Sequence, residues 1–434
     1  MDRIPPLTKA EILSAISQYC QFAQNSTESP PNRGKTMDYV GFSPEERMAV
    51  IDSMLDFSAD GENRIKLLET KLRAYFRAED VVLVNSGAQA TFLCLTALLA
   101  AYTSKGLLPG DEVIVPAVTH PSTFSAILQL RLTPVVVDCR PGTCNLDESQ
   151  LETAVGERTR ALLIPHTLGN PNRMDLVMDV VARFRLWLIE DSCEALGAKF
   201  GGRLAGTFGE LASISLGKNP VGNTGSIGAV VVNDPALADT VRCLRDGGRE
   251  PLKNWDKIKT GANSSMNYLL DGLVEPYDCR QIYTKRSLNW RPAEIQAVAG
   301  LVHLRQAEPS LKSRQQLLQA ILIGIEPLKQ VFLPPSWTEK SEPSYAACPL
   351  ILLKGSRAQL IRRLQKAVLK PGLVAAGNIL RQPAFKSMPY RAGSSNFSGA
   401  DRIMDQGFLF PLHGQISTEA ATQLIEELKG FCRT

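Results

Sequence analysis

Three short stretches of this chain carry side chains that can do chemistry together. The first is Val81-Val82-Leu83-Val84, followed by Asn85-Ser86-Gly87-Ala88-Gln89-Ala90-Thr91 and an apolar helical segment. A strand, a Gly-containing turn and a helix start make an anion site, because free backbone N–H groups and the helix dipole both favour a phosphate. The same residues also fit a plain strand-to-helix turn. The second is Leu188-Ile189-Glu190-Asp191-Ser192-Cys193-Glu194. A hydrophobic strand ending in an acidic pair puts Asp191 at the carboxyl end of a sheet, where open α/β folds bind ligands. A carboxylate there can keep a pyridine nitrogen protonated, which helps a cofactor ring accept electrons. Asp is equally suited to capping a helix. The third is Ser213-Ile214-Ser215-Leu216-Gly217-Lys218-Asn219-Pro220, which leads through Gly222, Gly225 and Gly228 into another apolar run. Lys218, on a Gly-rich turn after a strand, can form a Schiff base or can be a solvated surface lysine.

The elements needed to position these groups are legible as alternation. Short apolar runs occur at Val81–Val84, Glu112–Val115, Pro134–Val137, Ala161–Ile164, Trp187–Ile189, Ala212–Leu216 and Ala229–Val232. Segments with helical spacing, such as Ala90–Ala101 and Met174–Phe184, lie between some of them. This pattern predicts βαβ units and one large, mostly parallel sheet of about seven strands, apolar on both faces because helices cover both. Residues 1–60 predict a helical segment with a polar loop at Gln24–Lys35, and 61–310 the large α/β domain. Residues 250–285 are polar and irregular, and predict a long insertion. Residues 311–434, with a strand at Pro349–Leu353, predict a smaller C-terminal α/β domain.

The chain has 434 residues, 44% of them hydrophobic, and a formal net charge of +4 from 48 Lys and Arg against 44 Asp and Glu. No Lys/Arg cluster of the kind that binds nucleic acid is present. Nine cysteines are scattered without a CxxC pair, which predicts a reducing, cytoplasmic setting and no metal site of that spacing. The longest apolar runs fall short of the roughly 20 residues a membrane helix needs. A protein without membrane spans is expected.

The three stretches occur in the order seen in the DegT/StrS superfamily of sugar aminotransferases and dehydratases, which the chain resembles over roughly residues 60–434. The likeness is to the CDP-4-keto-6-deoxyglucose 3-dehydratase branch. It is carried by His166-Thr167-Leu168-Gly169-Asn170, Trp187–Asp191, Ala205-Gly206-Thr207-Phe208-Gly209, Gly377-Asn378-Ile379-Leu380-Arg381-Gln382-Pro383 and Asp401-Arg402-Ile403-Met404-Asp405-Gln406. The resemblance implies the aspartate-aminotransferase (fold-type I) architecture, pyridoxal or pyridoxamine 5'-phosphate as cofactor, and a homodimer with shared sites. It places Gly87 and Ala88 on the phosphate turn; Ala88 offers only its N–H where many relatives have Ser or Thr. His120 falls where an aromatic ring stacks on the cofactor, against the plainer reading of a satisfied loop histidine. Asp191 falls on the pyridine-nitrogen partner, Ser215 on a phosphate hydroxyl, and Asn289 on an Asn that reaches the phosphate from the other subunit.

Two departures qualify the likeness. Relatives carry the catalytic Lys (aminotransferases) or His (3-dehydratases) ten positions after the acidic residue of the Gly-Asp/Glu pair; ten positions after Glu210 stands Pro220. A compensated shift restores Lys218, which lies five after Ser213, the family's Ser-to-Lys spacing. Both alignments stand. The second departure concerns cysteines: Arg245-Asp246-Gly247-Gly248-Arg249 is followed by no Cys until Cys279, so no iron–sulfur cluster is expected.

Three functions follow from the resemblance. One is a dehydratase for a keto sugar, nucleotide-linked or nucleoside, with Lys218 or His120 as the base. A second is a sugar aminotransferase with Lys218 as Schiff-base lysine and Glu or Gln as amino donor. A third is a non-catalytic cofactor-binding relative, suggested by the changes at Pro220, Ala88 and Ser226.

Overall fold

The computed structural model describes residues 7–25, 43–55, 64–100, 106–216, 227–250, 267–268, 277–278, 281–364, 371–412, 416 and 418–433. The seven apolar runs become β1 (Asp80–Val84), β2 (Glu112–Pro116), β3 (Thr133–Val137), β4 (Thr159–Pro165), β5 (Trp187–Asp191), β6 (Leu211–Ser215) and β7 (Gly228–Val232). Their ends differ from the expected ones by a residue or two, as strand ends commonly do. The chain continues with β8 (Phe332–Leu333), β9 (Ala347–Leu352), β10 (Arg391–Ala392) and β11 (Gly407–Pro411).

The large sheet has the order β1-β7-β6-β5-β4-β2-β3-β10. β7 runs antiparallel to both neighbours and every other pair is parallel. Strand alternation sends successive side chains to opposite faces. In β1, Val82 and Val84 enter one core, whereas Val81 and Leu83 enter another. Both faces are therefore dry, which accounts for the unbroken apolar runs.

Before the sheet come α1 (Lys9–Asn25), α2 (Pro44–Leu55) and α3 (Arg64–Phe76); around it pack α4 (Gly87–Ala100), α5 (Pro121–Gln129), α6 (Met174–Phe184), α7 (Pro235–Arg245) and α8 (Glu294–Ile325). α4 begins three residues before the segment with helical spacing, because Ser86 caps it: the Gln89 N–H donates to Ser86 Oγ at 3.2 Å and the Ala90 N–H to its carbonyl at 3.0 Å. α1 extends through Gln24 and Asn25, so the first two residues of the expected polar loop are helical; the rest of it lies outside the described residues. Most of the 250–285 insertion lies outside them too, apart from Asn267–Tyr268 paired antiparallel with Tyr277–Asp278 and the run from 281. No helix of the described residues is long and apolar enough to cross a membrane.

α8 runs unbroken across residue 310, with Pro309 inside it, so the expected boundary between 310 and 311 falls within a helix. Beyond it, β9 lies between β8 and β11 in a three-stranded antiparallel sheet. α9 (Arg357–Leu364), α10 (Ser398–Gln406) and α11 (Thr418–Cys432) complete this region. β10 returns to the edge of the large sheet, where Arg391 Nε donates to Glu112 Oε1 at 2.7 Å. An Arg-Ala dipeptide has no strand signature, and the sequence reading missed it.

Candidate active site

β2 pairs with β3 on one side and β4 on the other, so the chain crosses over β2 between β3 and β4. Such a reversal opens a crevice at the carboxyl ends of the strands, between the loops that leave them. The loop after β2 carries His120 and leads into α5; the loop after β4 is His166–Asn170; β5 between β4 and β6 ends in Glu190 and Asp191.

Alternation gives the two acids opposite duties. Glu190 is fully buried. Its Oε1 accepts the N–H groups of Phe208 (2.6 Å) and Gly209 (2.8 Å), and its Oε2 accepts those of Gly206 (2.8 Å) and His166 Nε2 (2.9 Å). His166 Nδ1 accepts the N–H of Asn172 at 3.1 Å, which fixes the ring hydrogen on Nε2. This explains both the Ala205–Gly209 motif and His166: they are the polar partners that let a carboxylate sit inside the sheet. Gly209 is required, since a Cβ there would lie 2.3 Å from the Leu188 carbonyl oxygen.

Asp191 faces the crevice, 7% exposed. Thr123 Oγ1 donates to its Oδ2 at 3.0 Å; Cys193 N–H (3.2 Å) and Ser213 Oγ (3.3 Å) donate to its Oδ1. Ser213 Oγ in turn receives Thr91 Oγ1 at 2.8 Å. The carboxylate is thus oriented by side chains from α4, α5 and β6, with acceptor capacity left for one more donor. The cap reading of Asp191 survives in part, as the bond to Cys193 N–H is an Asx-type turn, although no described helix begins there.

The turn expected to hold a phosphate is the junction of β1 and α4. α4 starts at Gly87, and Ala88 is exposed, presenting only its backbone. A Cβ on Gly87 would lie 2.7 Å from Cys193 Sγ and 2.8 Å from Ser215 Cβ. The helix start, the end of β6 and the turn after Asp191 therefore converge, and Ser215 Oγ stands 3.3 Å from that same point. Free N–H groups, a helix N-terminus, a hydroxyl and a carboxylate in one crevice fit a group with a phosphate at one end and a pyridine-type N–H at the other.

His120 is exposed and caps α5: its Nδ1 accepts the N–H of Ser122 at 3.2 Å and lies 2.6 Å from Ser122 Oγ. It stands three residues before Thr123, whose hydroxyl donates to Asp191. Asn289 is exposed, and its Oδ1 accepts the Arg291 N–H at 3.1 Å; its described contacts do not include Asp191 of the same chain. The neighbouring Trp290 carbonyl accepts the Asn85 N–H at 3.2 Å. Lys218, Pro220 and Cys279 lie outside the described residues. Sequence reasoning overlooked Thr91 and Thr123, and used Ser213 only as a spacing marker.

A motif from the C-terminal region packs on the segment that follows β2. Asn378 forms a β-bridge with Val118, beside His120, and the Ile379 N–H donates to the Ala117 carbonyl at 2.9 Å. Asp401 accepts Asn378 Nδ2 at 2.7 Å and Arg381 at 2.6 and 2.9 Å. The hydrogen bonds to Arg381 pull the Asp401 carboxyl below its usual range.

Comparisons with known proteins bear on the family and the fold. Lipopolysaccharide biosynthesis protein RfbH of Salmonella typhimurium is 30% identical over 434 residues, covering 98% of each chain. The dTDP-4-dehydro-2,6-dideoxy-D-glucose 3-dehydratase of Saccharopolyspora spinosa is 28% identical over 98% of this chain and 92% of its own. The structure of E. coli GDP-4-keto-6-deoxy-D-mannose-3-dehydratase with bound hydrated pyridoxal phosphate matches 91% of this chain and 99% of that one, with a TM-score of 0.79 and 26% identity. The fold expected from the sequence is therefore the fold found. A family model matches residues 44–429, a span that takes in every one of the site residues above, and by that match this chain belongs to the DegT/DnrJ/EryC1/StrS aminotransferase family.

Proposed function

We propose that this chain is a pyridoxal- or pyridoxamine-phosphate-dependent enzyme that dehydrates a keto sugar, carried on a nucleotide or as a nucleoside, without an iron–sulfur cluster. The observation that carries the reading is the buried, hydroxyl-oriented Asp191 carboxylate in the same crevice as the Gly87–Ser215 phosphate turn. When bound, the cofactor supplies an electron sink. Asp191 accepts the pyridine N–H and keeps it protonated. Gly87 and Ala88 N–H groups and Ser215 Oγ hold the phosphate, and His120 packs on the ring. Asn289 reaches the phosphate of a second copy in a homodimer. The region from 311 onward acts as the small domain. Lys218 and His120 are the sequence candidates for proton transfer.

A sugar aminotransferase with glutamate as donor is the second reading, favoured by Lys218 standing at the family's spacing from Ser213. Borohydride reduction after loading with pyridoxal phosphate, followed by peptide mass mapping, separates the two. The dehydratase reading expects bound cofactor and no adduct on Lys218. An adduct there assigns Lys218 as the Schiff-base lysine and replaces dehydration with amino transfer. Stoichiometric iron and sulfide in anaerobically purified protein would remove the cluster-free part of the proposal.

A further inference from the structure

Alternate residues of a strand share a face, so one face of β6 carries Leu211, Ser213 and Ser215. Leu211 lies in the core, and Ser215 meets the turn at Gly87. Ser213 is a fully buried hydroxyl between them. The strand register sets Ser213 beside Asp191 of β5 on one side and Val230 of β7 on the other. α4 packs on this part of the sheet and brings the buried Thr91 to Ser213.

Thr91 Oγ1 lies 2.8 Å from Ser213 Oγ and 3.2 Å from the Gly87 carbonyl oxygen, one helical turn back. Ser213 Oγ lies 3.3 Å from Asp191 Oδ1. Three contacts share two hydroxyl protons, because each hydroxyl donates once. In one arrangement Thr91 donates to Ser213 and Ser213 donates to Asp191. In the other, Ser213 donates to Thr91 and Thr91 to the Gly87 carbonyl. Asp191 Oδ1 is then left, among the described residues, with the Cys193 N–H. Filling both outer contacts at once would set two lone pairs against each other at the short Thr91–Ser213 contact. Both outer contacts are long for a hydroxyl donor, so neither locks the pair. A hydrogen bond to a charged acceptor is about twice as strong as one to a neutral acceptor. A charged Asp191 therefore selects the first arrangement. The titratable groups around Asp191 are Cys94, Cys193 and Glu194. All are acids and bring no positive charge to replace these donors.

We propose that Ser213 and Thr91 are positioning residues that form a two-state hydroxyl relay between Asp191 and the first turn of α4. A charged Asp191 draws the Thr91 hydroxyl to Ser213; a neutral one releases it to the Gly87 carbonyl. Thr91 thus responds to the charge of an acid to which no hydrogen bond among the described residues joins it. The relay stands on this geometry, and its bearing on a bound ring rests on the cofactor reading above. Donors to the carboxylate lower its basicity, which leaves the shared proton on a pyridine nitrogen.

The test has two arms on the full chain. In cofactor-free protein, Thr91→Val removes the hydroxyl at nearly unchanged volume. At neutral pH it should lower the urea midpoint about twice as far or more with Asp191 present as in an Asp191→Asn background. Thr91→Ser should recover most of that loss. Ser213→Ala, which cuts the relay, serves as the second background if Asp191→Asn does not fold. Equal losses with the relay intact and cut overturn the proposal, whether or not the chain binds a cofactor. In the second arm the probe is pyridoxal phosphate labelled with heavy nitrogen in its ring, read by nitrogen NMR. The ratio of protonated to unprotonated ring should fall about tenfold in Ser213→Ala. It should fall by less in Thr91→Val and return in Thr91→Ser. A ring signal unchanged in both Ser213→Ala and Thr91→Val overturns the proposal and leaves cofactor binding standing. A wild-type chain that binds no pyridoxal phosphate overturns the cofactor reading instead, and the first arm still decides the relay.

Discussion

His303 lies in α8 fully out of solvent, and neither ring nitrogen has a hydrogen-bond partner among the described residues. Burial, with the nearby Arg314 charge, holds its pKa down at about 4, against 6.5 for an ordinary histidine. Between those values the unfolded chain binds a proton that the folded chain refuses. Stability therefore falls as pH drops through that window, by on the order of 3 kcal/mol across its width, and is unaffected above it. His303→Leu should remove this component. Urea midpoints of wild type and variant, compared at pH 7 and pH 5, should diverge at the lower pH; parallel midpoints would show that His303 does not titrate this way. The functional residues differ in how readable they were. Asp191 was legible because it ends an apolar run, which fixes its place at the sheet's carboxyl edge. Thr123 and Ser213 were not, since hydroxyls on α5 and β6 announce nothing until the fold brings them to the same carboxylate.

At the scale of elements, the junction of α4, β6 and the turn after β5 has no spare volume at Gly87. Gly87→Ala should cost about 1–3 kcal/mol through overpacking and push the helix start away from Ser215. Denaturation curves should show the first effect and weaker pyridoxal phosphate binding the second. Unchanged stability and affinity together would mean the junction yields freely. The seven strands could be read from the chain because burial on both faces demands unbroken apolar runs. Two other features resisted reading for opposite reasons. β10 is too short to carry a pattern. α8 hid its continuity behind Pro309, a residue that usually stops a helix.

For the molecule as a whole, the proposed homodimer makes a sharp prediction. Asp191 and Asn289 would then serve the same site from different chains. Asp191→Asn and Asn289→Ala homodimers should each be impaired, while subunits unfolded and refolded together as an equal mixture should regain about a quarter of wild-type sites by random pairing. Cofactor absorbance and turnover of the mixture read this directly. A mixture no better than the mean of its parents would place both residues in one chain's site. The arrangement of the Arg242–Arg245–Asp246–Arg291 cluster fits a rigid platform beneath Asn289: Arg291 and Arg245 both clamp Asp246 at 2.6 Å. Although burial opposes it, those bonds hold the Asp246 carboxyl at about 2, so this platform stays charged throughout the physiological range.

The antiparallel β7 has a consequence for the order in which the protein comes into being. Among the described residues, β1 touches the rest of the large sheet only through β7, with Asp80 paired to Val232 and Val84 to Gly228. The turn at Gly87, proposed to hold a phosphate, hangs from β1. As the chain leaves the ribosome, β2 to β5 can pair among themselves, but β1 must wait with an apolar, unpaired edge until β7 has been made. Long-range pairings of this kind form late and leave intermediates prone to association. Nascent chains stalled before residue 228 should therefore hold β1 open to chaperones, and the crevice beside Asp191 should be among the last parts of the large sheet to exist.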